Sequence, residues 1–269
     1  MAKSGKKLKP ISSEGFPYNG ETAHWWLWRS MDRAHRRAYR NIADFVRASY
    51  LRDPRIIVDY ACGAGNLLSL LSRRFPNSTL VGLDGSAILL ETAQRRFKRL
   101  PAGCARRMSL AEAALPGSVL KSECADLLLF CFPNMTPYSA EDDAREAESC
   151  RETNDWKIAE SLEPGAAHVL EWNRSISHDL RGMLIRGGIC IRIEYATMRR
   201  QELSPSELTR VAFEEGSLDM EVDGRIPNRW FRFTASAYFR SGVLEDVYLQ
   251  TGNERDRNGG YLITVLKAI

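Results

Sequence analysis

Val58-Asp59-Tyr60-Ala61-Cys62-Gly63-Ala64-Gly65-Asn66 is the stretch on which the reading of this chain turns. It joins Arg55-Ile-Ile-Val-Asp-Tyr-Ala-Cys62, a short apolar run rich in β-branched residues, to Asn66–Phe75, where Leu67, Leu71 and Phe75 recur every four residues. The first pattern predicts a buried strand and the second a helix, so the small residues between them mark a sharp strand-to-helix turn. Pro76-Asn77 breaks the helix, and Ser78-Thr-Leu-Val-Gly-Leu-Asp84 reads as a second strand. Ser86–Leu100 follows as a second helix, with Leu89, Ala93, Phe97 and Leu100 on one face. Strands with near-continuous apolar runs, alternating with helices, predict a parallel sheet covered on both sides.

Farther from this unit the alternation weakens. A third strand is expected near Arg106–Leu110, and Ala125–Phe132 (ADLLLFCF) reads as a buried fourth. Gly188–Tyr195 (GICIRIEY) is expected as the fifth, entered by a Gly-Gly turn after a helix, and Gly260–Ile269 as a closing strand. Upstream, Trp25, Trp28, Met31, His35, Tyr39, Ile42 and Val46 recur at spacings of three and four. That predicts one helical face from about Thr22 to Tyr50. The expected organisation is a loose basic tail over 1–20, a helical cap over 21–54 and one α/β domain, a doubly wound and mostly parallel sheet, over 55–269. Two stretches exceed what such a sheet needs, about 135–174 after the fourth strand and 198–259 after the fifth. The second, with Trp230-Phe-Arg-Phe and Tyr238-Phe, is expected to carry an added hairpin.

In the turn, an acid precedes alternating small residues, and Asp84 ends the second strand nineteen residues past Gly65. The chemistry such a turn serves is close approach of a ligand to bare backbone, with helix N-terminal amides just beyond it. An acid at the end of the second strand accepts a pair of ribose hydroxyls. The alternative reading is a tight turn and a helix-capping Asp. Together these residues resemble the first two signatures of the class I S-adenosylmethionine (SAM)-dependent methyltransferases. The resemblance covers residues 55–132 and continues to about 195 by strand order alone. It implies a Rossmann-like, seven-stranded sheet in which Gly260–Ile269 is an inserted antiparallel strand. It also implies SAM as cofactor and S-adenosylhomocysteine as product.

Carried over residue by residue, the resemblance places the cofactor against Asp59, Ala61, Cys62, Gly63 and Gly65, then Asp84 and Gly85. Ala61 stands where the family has its first glycine, a mild departure if φ there is negative. Leu110 and Ala111 fall where the adenine amino group is met, either by backbone at Ala111 or by Glu112 one residue later. Phe130 and Cys131 end the fourth strand, and Phe132 and Asn134 would face the transferring methyl group. Phe130-Cys-Phe-Pro-Asn134 lacks the Asn/Asp-Pro-Pro-aromatic pattern of relatives that methylate DNA bases or protein glutamine. Cys131 reads as packing rather than as a nucleophile. Dinucleotide binding is the competing use of the architecture. It requires a third glycine, yet residues 66 to 68 are Asn-Leu-Leu, and counting from Ala61 loses the first glycine instead.

Methyl transfer from a sulfonium is an in-line displacement, and a base is needed only for an acceptor that arrives protonated. Candidates are His24, His168, His178 and Tyr18. Trp25-Trp26-Leu27-Trp28 reads as a helix anchor or as a lid, with Trp25 and Trp28 the candidate acceptor contacts.

Composition bounds the rest. The chain has 269 residues, 44% apolar, and a net charge of only +4, which demands no polyanionic partner. Positive charge nevertheless clusters in Lys3, Lys6, Lys7 and Lys9 and again in Arg29, Arg33, Arg36, Arg37 and Arg40, while residues 141–163 hold nine acids against three bases. Six cysteines are scattered without a CxxC pair or zinc-like spacing, so no metal is expected, and a reducing cytoplasm suits them. No apolar segment of signal-peptide or membrane-spanning kind is read. The expected substrate is a small or medium-sized organic acceptor. The alternatives are an RNA methyltransferase, suggested by the basic runs, and a non-catalytic SAM-binding subunit.

Overall fold

The computed structural model describes residues 20–50, 52–113, 115–117, 120–132, 175–196, 230–245, 249, 252 and 259–269. Among them seven strands form one sheet in the order β3-β2-β1-β4-β5-β7-β6. These are β1 (Ile56–Tyr60), β2 (Thr79–Asp84), β3 (Met108–Glu112), β4 (Ala125–Cys131), β5 (Leu184–Ala196), β6 (Phe231–Arg240) and β7 (Gly260–Ala268). Strands β3, β2, β1, β4 and β5 pair in parallel. Strand β7 runs antiparallel to both β5 and β6, between which it lies. The order reverses beside β1, so the carboxyl ends of β1 and β4 diverge there and open a crevice.

The strands are buried on both sides, which explains their continuous apolar runs. Alternation sends Ile57, Leu127, Leu129, Ile191 and Ile193 to one layer. Their neighbours Val58, Tyr60, Leu128, Phe130 and Cys190 go to the other. The first layer is covered by α2 (Arg33–Ala48), α3 (Asn66–Arg74) and α4 (Ala87–Phe97). The second is covered by the helix over residues 175–183, through Ile176, Leu180 and Met183.

Two sequence expectations need correction. The helix expected from Thr22 to Tyr50 is two helices, α1 (Glu21–Arg29) and α2, separated at Ser30–Asp32. Asp32 is the cause: its side chain accepts the His35 backbone N–H at 2.7 Å and caps α2. The break resets the helical phase. His35, Tyr39, Ile42 and Val46 are buried as the periodicity requires, whereas Trp28 is 68% and Met31 48% exposed. Second, the Gly pair at 187–188 does not precede β5 but lies inside it. Between Ala125 and Leu127 of β4 the partner advances from Leu184 to Ile189, a bulge in which Gly187 adopts φ 78°. Residues from Phe231 to Phe239 lie on β6 alone, whose antiparallel partner is β7. The tail over 1–19 and the acidic stretch over 133–174 lie outside the described residues. Among the described residues, no helix is long and apolar enough to cross a membrane.

Candidate active-site crevice

Beyond β1 the backbone turns through two left-handed glycines, Gly63 at φ 53° and Gly65 at φ 68°, the latter capping α3. A β-carbon on Gly65 would fall 2.7 Å from Phe97, so this position is closed to side chains by packing as well as by conformation. Ala61 departs from the expectation stated for it. Its φ is 61°, in the region glycine favours, so the methyl is carried at a cost of about 1–2 kcal/mol rather than freely. The loop is tied across to the second strand. Asp84 Oδ2 accepts the Gly63 N–H at 2.7 Å and Oδ1 accepts the Ser86 N–H at 2.8 Å. A carboxylate has about four acceptor sites, so Asp84 keeps capacity beyond these bonds.

The crevice is lined by Trp26, Ser30, Tyr39, Asp59, the 61–64 loop, Asn66 and Cys131. Asp59 is 2% exposed, and its Oδ1 has no hydrogen-bond partner among the described residues. Burial, with the nearby Asp84 charge second, pushes its carboxyl up to about 8. Asp84 is also raised by burial, but only to about 6, because the Ser86, Gly63 and Gly85 amides donate to its ionised form. Burial raises the thiols of Cys62 and Cys131 well above the ordinary value, the opposite of what activates a nucleophile.

The remaining residues singled out from the sequence divide. Leu110 and Ala111 stand on β3 opposite Gly82 and Leu83, and Glu112 pairs with Asp84 at the edge of the crevice's second strand. Phe130 does not share a wall with Cys131. Strand alternation turns it to the other layer, where it meets the Tyr60 ring at 5.4 Å and lies under Arg192. Phe132 is buried just past β4 at φ 49°, stacked on Tyr195 with centroids 4.6 Å apart. His24 and Trp28 are exposed on α1, turned outward by the phase that brings Trp26 and Arg29 inward. His178 lies beside Trp230 on the far layer. Tyr18, Asn134 and His168, like the side chain of Trp25, lie outside what the structure describes. Among the described residues no group of three His, Cys, Asp or Glu side chains is placed to hold a metal.

Sequence reasoning missed the side chains that close the crevice from above. Trp26 faces the loop, its indole Nε1 lying 3.9 Å from where a Gly63 β-carbon would sit. His35 is wholly buried, with Nδ1 2.8 Å from Asp32 Oδ2 and Nε2 2.8 Å from the Tyr195 hydroxyl. The Asp32-x-x-His35 spacing at a helix start was the available signal. Arg29, also buried, places its guanidinium 5.8 Å from the Trp26 ring and 5.2 Å from that of Tyr195, while donating to the Val243 carbonyl. The basic run is therefore not one surface, because its first arginine belongs to the interior while Arg33, Arg36, Arg37 and Arg40 are exposed.

Comparison with known proteins agrees with this architecture. Residues 57–150 match the family model described as a methyltransferase domain. Trans-aconitate 2-methyltransferase of Methylobacterium radiotolerans is 39% identical over 61 residues, 23% of this chain and 24% of that protein. The enzyme of the same name from an Acidovorax species is 50% identical over 48 residues, 18% of this chain and 19% of that one. The matches thus span less than a quarter of these relatives' length. Among solved structures, geranyl diphosphate methyltransferase in complex with its diphosphate and sinefungin superposes with a TM-score of 0.54 at 11% identity. The superposition covers 85% of this chain and 78% of that one. The geranyl diphosphate C-methyltransferase of Streptomyces coelicolor gives 0.52, also at 11%, over 89% and 85%. At such identity the likeness is one of fold alone. The sheet order and the glycine turn thus agree with the match over residues 57–150, the segment of this chain that is similar to a methyltransferase domain, and the fold is Rossmann-like.

Proposed function

We propose that this protein binds SAM across the 61–65 loop and transfers its methyl group to a small or medium-sized organic acceptor. The observation that carries the reading is the buried Asp59 oxygen without a partner, on the wall of the crevice beside the glycine turn. A fully buried carboxylate oxygen left unsatisfied costs about 1–3 kcal/mol. An ammonium group at that point removes the penalty, and SAM carries one on its methionine end.

Each residue then has a task. Asp59 receives the ammonium, directly or through water. The Gly63–Gly65 backbone lies along the ligand, and the first amides of α3 meet the methionine carboxylate. Asp84 uses its remaining lone pairs for the two ribose hydroxyls, with Gly85 and the Leu110–Ala111 backbone along the adenine. When bound, SAM supplies a methyl carbon on a sulfonium, which leaves as a neutral thioether. What the protein adds is alignment of the acceptor with that carbon, in line with sulfur, in a place from which water is kept out. Trp26, Tyr39 and Cys131 form the dry wall, and the Trp26 face suits a sulfonium.

Calorimetric titration with SAM and with S-adenosylhomocysteine, in wild type and Asp84→Ala, tests the reading. Loss of a charge-assisted pair of contacts is expected to weaken both ligands by about 1.5–3 kcal/mol, roughly 10- to 150-fold. An unchanged affinity means that the ribose lies elsewhere.

A further inference from the structure

We propose that the Tyr39 hydroxyl donates a hydrogen bond to the carboxylate at the amino-acid end of the cofactor. With Asp59 it makes the crevice selective for adenosyl ligands that keep both the ammonium and the carboxylate. The inference rests on the methyl-transfer reading above and assigns a specificity-determining residue to that same site.

The donors on the crevice wall are mostly committed. Ser30 donates its hydroxyl to the Leu27 carbonyl at 3.0 Å, and Asn66 donates its amide to the Ser30 hydroxyl at 3.2 Å. The Cys62 thiol, a weak donor, is turned to the Gly63 carbonyl. Tyr39 differs: it lines the crevice, is 7% exposed, and makes no hydrogen bond among the described residues. A buried phenol ordinarily finds a partner. Its ring is packed between those of His35 and Phe132, with centroids 6.5 and 6.0 Å away. The phenol oxygen lies on the ring axis, so this packing fixes where the donor points.

Asp59 is the complement. Its Oδ1 is an acceptor without a partner among the described residues, and its charge is close enough to act on the Tyr39 hydroxyl. Donor and acceptor nevertheless do not bond to each other. Two side chains that would satisfy one another at contact, yet are held apart on one wall, match a ligand that gives a hydrogen bond and takes one from a single carbon. The end of an α-amino acid is such a group, with an ammonium for Asp59 and a carboxylate for Tyr39.

A phenol also fits the place better than a cation would. Burial first, then the neighbouring Cys131, Tyr195 and Asp59, push the Tyr39 hydroxyl well above its ordinary value, so it keeps its proton and remains a donor. A lysine or arginine there would pair with Asp59 in the unliganded crevice and occupy the place of the ammonium. Positive charge is supplied from farther off by Arg96 of α4. Its guanidinium makes no hydrogen bond or ion pair among the described residues, its Nε is buried, and it and the Tyr39 hydroxyl act on one another.

Titration calorimetry of the full chain with SAM and with decarboxylated SAM tests the assignment, because the second ligand keeps the adenosine, the sulfonium and an amine and lacks the carboxylate alone. Wild type is expected to bind SAM at least tenfold more tightly. Tyr39→Phe, which keeps the ring and its packing, should weaken SAM and S-adenosylhomocysteine roughly 10- to 100-fold and leave decarboxylated SAM within twofold. Asp59→Asn should weaken both SAM and its decarboxylated form, since both keep the amine. Arg96→Gln should weaken SAM about two- to fivefold and spare the decarboxylated ligand. A Tyr39→Phe protein that binds SAM as wild type does, or loses both ligands equally, overturns the proposal. If Tyr39→Phe fails to fold, wild type and Arg96→Gln decide, and equal affinity of wild type for the two ligands overturns it. Absence of SAM binding to wild type would defeat the methyl-transfer reading itself, whereas SAM binding indifferent to Tyr39→Phe defeats this inference alone.

Discussion

Binding SAM should expel protons from the crevice, and the number expelled can be worked out. With Asp59 at about 8 and Asp84 at about 6, the unliganded crevice at neutral pH holds Asp59 mostly as the neutral acid. An ammonium beside Asp59 and two hydroxyl donors on Asp84 both favour the charged carboxylates, so binding drives the protons off. Between pH 6 and 7 the linkage makes binding about ninefold tighter through Asp59 and about twofold tighter through Asp84, together roughly 15- to 20-fold. This window lies below the ordinary range of an α-amino group, so the ligand stays protonated throughout.

Calorimetry in phosphate and in Tris, whose ionisation enthalpies differ widely, counts the protons directly, and close to one is expected at pH 7. In Asp59→Asn the release should fall to a small fraction and the gain in affinity from pH 6 to 7 to about twofold. A wild-type affinity that changes less than twofold over this unit refutes the reasoning, as does a slope that Asp59→Asn leaves intact. Either result would mean that the buried acid is not where the cation binds.

The same acid acts on the unliganded fold. Its folded-state value lies above the unfolded one, so the folded chain binds the extra proton. Stability is therefore full below about pH 4 as far as this group is concerned, and is lost as pH rises toward about 8. Asp59→Asn should flatten that decline and melt several degrees higher than wild type at pH 8 in scanning calorimetry. Ala61→Gly relieves the left-handed strain and, net of added freedom in the unfolded chain, should stabilise by about 0.5–1 kcal/mol, seen as a melting temperature about 1–4 °C higher. A lower melting temperature would show that the loop tolerates the methyl without cost. Gly65→Ala adds both a left-handed penalty and a clash with Phe97, and should destabilise by about 2–4 kcal/mol in denaturant titration.

The parts of this molecule that could be read from sequence are those whose cause is local in the chain. β1, the glycine turn and α3 follow from β-branched residues, bare backbone and a four-residue repeat, all within twenty positions, and the structure repeats them nearly residue for residue. The same holds for Asp84, because a strand that ends in an acid places it at the carboxyl edge whatever surrounds it. The errors have a different physical origin. Trp28 and Trp26 are two residues apart on one helix, and which of them turns inward depends on a phase that Asp32 resets by capping the next helix. Reading the repeat straight through Ser30–Asp32 assigned the wrong indole. The methyl of Ala61 says nothing of the sign of its φ, and the bond that follows it, from the Cys62 N–H to the Leu83 carbonyl at 2.8 Å, reaches across the sheet to a residue 21 positions on.

The acceptor side was the least legible, and the reason bears on how the two halves of the site are built. The cofactor half uses backbone and carboxylates from consecutive elements, so its pattern is compressed into residues 59–84. The side chains packed around His35 instead join α1 and α2, which precede the first strand, to the ends of β4 and β5. His35 reaches Tyr195 across 160 residues, and nothing in either neighbourhood announces the other. From the sequence His35 was one more residue on the buried face of a helix, which it also is. Its burial is what gives the contact chemical meaning. A histidine in water exchanges partners freely, whereas one sealed between a capping carboxylate and a tyrosine is held in one tautomer and one orientation. The relatives matched by sequence align with less than a quarter of their length, so the identity of their acceptor does not transfer by that match.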